Sequence, residues 1–147
     1  MQFVLKPYKD LTVDELYEAL KLRCEIFVIE QNCNYQDMDG KDKKSWHLMG
    51  YDNNVLRAYA RILPHNISYP EASIGRVVVA KDFRGRNAGK ELMDEAIKQT
   101  KRLCNTNEIV IGAQQYLLKF YGDLGFVKEG EMYLEDDIPH IKMRLKL

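Results

Sequence analysis

Residues 72–103 read as one continuous device: a strand, a bare cationic loop, then a long helix. The run Ala72-Ser-Ile-Gly-Arg-Val-Val-Val-Ala80 is β-branched and apolar on both faces toward its end, the pattern of a buried central strand. Gly75 inside it predicts a bulge or the close approach of another backbone. Leu92, Met93, Ala96, Ile97, Thr100 and Leu103 then recur on one side of a helix over residues 87–103. Between the two, residues 81–90 carry Arg84, Gly85, Arg86, Asn87, Gly89 and Lys90. Unpaired N–H groups and the macrodipole make a helix start attractive to anions, and glycines let phosphate oxygens approach the main chain. Arginine and lysine add charge-assisted donors. A phosphate site fits this spacing, as does a solvated basic turn that merely begins a helix. It is neither GxxxxGK[ST] nor GxGxxG with a downstream acid.

The remaining elements complete an α/β chain. Phe3–Pro7 reads as a short strand. Thr12 and Glu15 form a capping box ahead of Val13, Leu16, Tyr17, Leu20, Cys24 and Phe27, whose spacing predicts a helix over 13–29. Residues 31–45 are polar and irregular, with Lys41, Lys43 and Lys44 diluted by Asp39 and Asp42. Strands are expected at 46–52 and 55–63 around an Asp-Asn-Asn turn, and at 109–113. A short helix follows over 115–123, and a strand begins at Gly125-Phe126-Val127. Residues 139–147 alternate, with Ile141, Met143, Leu145 and Leu147 set against Lys142, Arg144 and Lys146, as in a half-buried terminal strand. Its exposed half is a candidate for pairing in a homodimer; a monomer is the alternative.

Bulk properties narrow the function classes. A chain of 147 residues is expected to be a single domain, 1–147. Lysine plus arginine and aspartate plus glutamate are both 22, and this balance argues against a nucleic-acid grip. No run approaches a membrane span, and Met1–Lys6 lacks a basic leader, so neither a membrane anchor nor a signal peptide is expected. Cys24, Cys33 and Cys104 include no CxxC pair, which points to a reducing, cytoplasmic setting.

The spacing Arg84-x-x-Asn87-x-Gly89 resembles the Q/R-x-x-G-x-G/A loop of the GNAT superfamily of N-acetyltransferases, which follows that family's fourth strand, as 72–80 would be here. Asn87 stands where a glycine is usual, and asparagine enters left-handed backbone more readily than most residues. Downstream, AQQYLLKFYGDLGF (113–126) is similar to the family's second motif, with Tyr121 four residues before Gly125 and Phe126 following. A narrower likeness, to the ElaA-like branch, rests on RCEIFVIEQNCNYQDMDGKD, IGRVVV and EDDIPHIKM, through Arg23, Phe27, Glu30, Gln31, Tyr35, Asp37, Asp39, His47, Arg61, Arg76 and His140.

The resemblance implies the acyl-CoA N-acyltransferase fold: a central mixed sheet of six to seven strands, about four flanking helices, and strands four and five splayed. It implies acetyl-CoA as co-substrate, with its arm paired to the main chain of Val77, Val78 and Val79. The pyrophosphate would lie on Arg84, Gly85, Arg86, Asn87, Ala88, Gly89 and Lys90. Tyr121 would stand near the sulfur as general acid on the CoA thiolate; periodicity alone favours reading it as a core tyrosine.

Direct attack by an amine needs a base and an oxyanion donor. The strand 72–80 holds no carboxylate, and Glu71 precedes it. Glu30, His47 and His140 are the candidate bases, each with a structural alternative as a helix-end charge or a hydrogen-bonding imidazole. Arg61 and Arg76 sit in apolar strands and need counter-charges, for which Glu30, Asp37 and Asp39 are placed. With Glu30 and His47 they would form the acceptor side, or else only pin the loop to the sheet. No metal-ligand spacing is present, so no metal is expected. The expected activity is acetyl transfer to a small-molecule or peptide amine. A non-catalytic acyl-CoA-binding module is the first rival. A faint likeness of Arg23…Phe27…Glu30…Asp37…Asp39 to acyl-homoserine-lactone synthases supplies a second.

Overall fold

The computed structural model describes residues 1–147 and divides seven strands between two sheets. In the first, β1 (Gln2–Pro7), β2 (Trp46–Asp52), β3 (Val55–Leu63) and β4 (Ser73–Val79) lie in that order, each antiparallel to the next. In the second, β5 (Glu108–Gln114), β6 (Val127–Glu135) and β7 (Ile138–Lys146) take the order β5-β7-β6. The terminal strand is therefore inserted between two others, and both its edges are used. That overturns the expectation that it offers an edge to a second copy. Its alternation holds inside the strand, where Ile141, Met143 and Leu145 are buried, but Leu147 lies beyond it and is exposed.

Three α-helices cover the sheets, one fewer than expected: α1 (Val13–Arg23), α2 (Ala88–Cys104) and α3 (Leu118–Asp123). The capping box forms as read, with Thr12 Oγ1 accepting the Glu15 N–H at 3.0 Å and Glu15 Oε1 accepting the Thr12 N–H at 2.8 Å. The helix expected over 13–29 then widens into a π-helical turn at Cys24–Glu30. Its buried face is also rotated from the expected one. Val13 is 84% and Tyr17 66% exposed, while Ala19, Leu22, Arg23 and Ile26 face inward. A charged side chain at a core position is invisible to hydrophobic periodicity, and Arg23 is buried because carboxylates meet it there.

On α2 the 3.6-residue pattern does hold: Leu92, Met93, Ala96 and Thr100 are buried. Leu92, Met93 and Ala96 pack with Leu48, Ala58, Ala60, Ile74, Ile109, Ile111 and Met143 into one core. Each leucine, isoleucine or methionine side chain among them contributes about 1.5–3 kcal/mol on burial. A smaller core lies under α1, where Ala19, Leu22 and Ile26 meet Met49, Tyr59, Val78 and Phe83. β2, β3 and β4 supply residues to both cores.

The sheets meet where Val110 N–H donates to Ala72 O at 3.0 Å. Beyond that bond no ladder links β4 to β5. The strand read as central and doubly buried is instead one wall of a gap. Ser73, Ile74 and Val78 are buried, whereas Gly75, Arg76, Val77 and Val79 are only partly so.

Candidate active site

The gap between β4 and β5 continues as a cleft of about 1140 Å³. At one end it is lined by Arg84, Gly85 and Asn87–Lys90, at the other by Tyr69, Tyr133, Glu135, Asp136 and His140. Gln31, just past the π turn, reaches over to Gln114 at the end of β5, each amide donating to the other at 3.3 and 3.2 Å.

The loop before α2 is open at its backbone. Gly85 (φ 80°) and Asn87 (φ 63°) are both left-handed, so Asn87 takes the conformation a glycine would. The Asn87 side chain does not cap the helix, and the first helical bond runs from Glu91 N–H to Asn87 O at 3.1 Å. The N–H groups of Ala88, Gly89 and Lys90 therefore lack intrahelical partners. A Cβ at Gly89 would lie 3.4 Å from the Phe120 ring, in ordinary contact with α3. Arg84 reaches back, its Nε donating to Val79 O at 3.2 Å and its Nη2 lying 2.8 Å from Glu30 Oε1. Arg86 turns away from the cleft and lies over the Phe83 ring at 4.6 Å.

β4 presents its outer edge to the gap. Ala80 N–H bonds Arg57 O at 2.7 Å, so two-residue alternation turns the main chain of Val78 to β3 and that of Val79 outward. Val77 shares the outward side; Val78 does not, and its part in the lining is its side chain. The bulge lies one residue later than Gly75. Gly75 pairs with Arg61 and Val78 with Tyr59, leaving Arg76 and Val77 opposite Ala60 alone. Arg76 holds φ 50°, a left-handed conformation costing roughly 1–2 kcal/mol in a residue with a Cβ. Its guanidinium offsets that cost: Nη2 donates to Asp37 O at 2.8 Å, and Nε lies 2.7 Å from Asp37 Oδ1, an ion pair whose N–H is not aligned for a hydrogen bond.

Arg76 belongs to a wider cluster that ties loop 31–45 to the sheet. Arg23 Nε donates to Asp37 at 2.8 Å and its Nη1 to Asp42 at 2.8 Å. Arg61 donates from Nη1 to Asp39 and Asp42 and from Nη2 to Asp39, at 2.8–2.9 Å. Three guanidinium groups thus meet three carboxylates. Despite the burial that opposes charge, the Arg61 and Arg23 partners hold Asp39 and Asp42 below the usual carboxylate range. The expectation that Arg61 and Arg76 come together is met through Asp39, which both contact. Glu30 is not their partner, since Arg84 holds it. Asp42 and Arg23 are the members that strand-by-strand reading missed, because their partners are distant in sequence.

His47 is 1% exposed and lies off the cleft. It donates from Nε2 to Asp42 O at 2.9 Å and accepts the Tyr59 hydroxyl at Nδ1, 2.7 Å away. Burial pushes its pKa down, so it stays neutral. Neither a base nor an acceptor-binding role fits that placement; it props the loop. Glu71 is held by Arg144 Nη1 at 2.8 Å. His140 does line the cleft, its Nδ1 2.7 Å from Ile138 O. Tyr121 also lines it and is 7% exposed, its ring edge-on to Phe120 and Phe126. Burial pushes its phenol above its ordinary value.

Comparison with known proteins agrees with this geometry. The acetyltransferase (GNAT) domain family matches residues 10–147. The chain is 41% identical to protein ElaA of Escherichia coli K12 over 138 residues, 92% of this chain and 90% of ElaA. It superposes on the crystal structure of E. coli ElaA with a TM-score of 0.91 at 38% identity, covering 99% of each chain. An acyl-CoA N-acyltransferase from Pseudomonas aeruginosa superposes at 0.92 with 42% identity over 98% of each chain. A CoA-dependent acyl-homoserine lactone synthase reaches 0.80 at 16% identity, covering 97% of this chain and 81% of that one, a likeness of fold alone. With a splayed strand pair, an uncapped helix start and a tyrosine lining the cleft between them, the chain belongs to the GNAT acetyltransferase family, on its ElaA-like branch.

Proposed function

We propose that the protein moves an acetyl group from acetyl-CoA to an amine of a small molecule or peptide, by direct attack of the nitrogen on the thioester. The observation that carries this reading is the unpaired edge of β4, which runs between the free N–H groups of α2 and the Tyr121 side chain.

The diphosphate of the co-substrate fits the N–H groups of Ala88, Gly89 and Lys90, with Arg84 and Lys90 supplying charge. Its amide-bearing arm fits the outward main chain of Val77 and Val79, and Arg84 must release Val79 O to admit it. The bulged main chain at Arg76–Val77 lies outside the β3 ladder, where an N–H is free to meet an oxyanion.

An alkylammonium, with a pKa near 10.4, is neutral at pH 7 in only about one molecule in a few thousand, so freeing it costs roughly 4–5 kcal/mol. A proton acceptor near the nitrogen is therefore required. At the sulfur, Tyr121 remains protonated at neutral pH because burial raises its pKa. Thiols titrate near 8.5, so the phenol stabilises the departing thiolate chiefly as a hydrogen-bond donor, passing on a proton that comes from nitrogen.

Calorimetric titration with acetyl-CoA, followed by thiol release over an amine panel, tests the reading. Saturable binding and amine-dependent release, weakened in Tyr121→Phe, are expected. Binding without release, indifferent to that substitution, would replace catalysis with mere acyl-CoA binding.

A further inference from the structure

The end of the cleft away from the helix start is made by the β6–β7 turn and the strands around it. His140 stands there with its side chain 9% exposed. Its Nδ1 lies 2.7 Å from Ile138 O, and a carbonyl only accepts, so Nδ1 carries the proton. The neutral ring must then hold its lone pair on Nε2. That nitrogen lies 3.4 Å from Glu135 Oε2, beyond a good hydrogen bond. The ring is fixed by stacking on Tyr133, centroids 5.9 Å apart at 30°. The Tyr133 and Tyr69 hydroxyls converge over β5, where a Cβ on Gly112 would come within 2.6 and 2.8 Å of them. Gln114 of β5 stands opposite His140 in the ladder and is neutral.

The charge balance at this end is informative. Arg23, Arg61 and Arg76 are matched by Asp37, Asp39 and Asp42. Lys41 also lines the cleft, its Nζ 2.9 Å from Ser68 Oγ and without an acidic partner, so Glu135 and Asp136 outnumber it two to one. Glu135 and Asp136 line the cleft with no basic partner apart from His140. Cys33 Sγ donates to Asp136 O at 3.3 Å and helps hold the turn in place. Glu30, the carboxylate among the candidate bases, is bound by Arg84, and Glu71 by Arg144.

Building on the acetyl-transfer reading, we infer that His140 Nε2 takes the proton from the acceptor's ammonium and that Glu135 and Asp136 select an acceptor carrying a second positive charge. The ammonium gives one proton to Nε2. The nitrogen lone pair then forms the C–N bond as the carbonyl π pair moves to oxygen. When that pair returns, the C–S bond breaks, and the second nitrogen proton passes to the thiolate by way of the Tyr121 hydroxyl. The proton on His140 leaves to solvent beside Glu135. The products are the amide, free CoA and one proton. A facing carboxylate favours both the incoming ammonium and the imidazolium that forms.

Three acceptors of similar length separate the possibilities in the wild-type enzyme: putrescine, butylamine and γ-aminobutyrate. Thiol-release kcat/KM is expected to fall in that order, with about tenfold or more between the first and last. Equal or reversed preference overturns the assignment. His140→Asn keeps a donor for Ile138 O but has no base, and should lower kcat/KM for butylamine near pH 7 by about a hundredfold or more. The deficit should shrink toward pH 10 and be small throughout for trifluoroethylamine, which is already neutral. A deficit independent of pH and of the amine overturns the role. If that variant does not fold, His140→Gln is read against the same criteria; separately, in Glu135→Gln the gap between putrescine and butylamine should narrow severalfold, and an unchanged gap overturns the selection. Acetyl-CoA affinity is measured in parallel. Failure to bind it sinks the acetyl-transfer reading and this one with it, whereas binding and release with the wrong acceptor order sinks this one alone.

Discussion

Glu30 and Arg84 hold each other at 2.8 Å, joining the π turn after α1 to the loop that opens α2. A carboxylate so engaged is placed to position that loop, and under the proposed acetyl transfer it is not the group that takes the acceptor's proton. Glu30→Gln should therefore leave butylamine kcat within about threefold of wild type, whereas loss of a general base typically costs 10²–10⁴-fold. Arg84→Ala should weaken acetyl-CoA binding about 10- to 100-fold, the range of a lost charge-assisted hydrogen bond. Stopped-assay rates and calorimetric Kd values for the two variants check both statements.

The Tyr121 ring is packed on Phe120 and Phe126, so Tyr121→Phe keeps the core and removes only the hydroxyl. Its Tm should shift by no more than a few degrees. Its kcat should fall about 10- to 1000-fold, as when a transition-state donor is lost, while acetyl-CoA affinity is retained. Parallel thermal and kinetic measurements separate this outcome from simple destabilisation.

Arg23 is 1% exposed and bridges Asp37 and Asp42. Arg23→Met leaves two buried carboxylates short of a partner and should cost about 3–5 kcal/mol. For a chain of this length that corresponds to a Tm lower by roughly 10 °C. Arg23→Lys should recover only part of the loss, because a single ammonium cannot reproduce the fork that spans both aspartates. Urea unfolding of the three proteins gives the comparison.

Acid should loosen the same region. Asp39 and Asp42 have folded pKa values below their unfolded ones, so the unfolded chain binds more protons as pH falls. The stability they contribute is complete above the unfolded carboxylate range near 4 and is lost below it. His47 adds to the trend at milder acidity: its pKa is depressed by burial, so its contribution begins to fade as pH drops through the ordinary imidazole range near 6.5. The urea midpoint should decline from about pH 7 downward and more steeply below about pH 4. Asp39→Asn should flatten the steeper part, and hydrogen exchange should show loop 31–45 opening early.

The pieces that chain-local physics controls were readable from residues alone. Strand 73–79, the loop with Gly85 and Asn87, and the amphipathic α2 all follow from composition and spacing within some thirty residues. So does the capping box at Thr12, where both partners lie three positions apart. Asn87 shows the same locality, since its left-handed backbone is a property of its own side chain and its neighbours.

Reading failed wherever the deciding partner was remote. Arg23 entered the sequence reading only through family likeness; its burial is set by Asp37 and Asp42, which fold over it. The bulge expected near Gly75 falls at Arg76–Val77, but that Arg76 rather than the glycine takes the positive φ depends on Asp37 and Asp39, which hold its guanidinium. His47 resembled a catalytic imidazole and became a prop, through Tyr59 and Asp42.

The amino-acid order by itself determined where the chain turns helical or extended, and it set a bare, cationic helix start after the fourth strand. Tertiary structure alone decided that β7 runs between β5 and β6, that β4 and β5 part after a single bond, and that His140 lines the cleft with Nε2 free of a close hydrogen bond while Glu30 is held by Arg84 and His47 is buried away from it. The physical reason is that backbone propensity and hydrophobic period act over a few residues. Charge pairing, desolvation and the choice of which lone pair stays free depend on groups that only folding brings within hydrogen-bond reach.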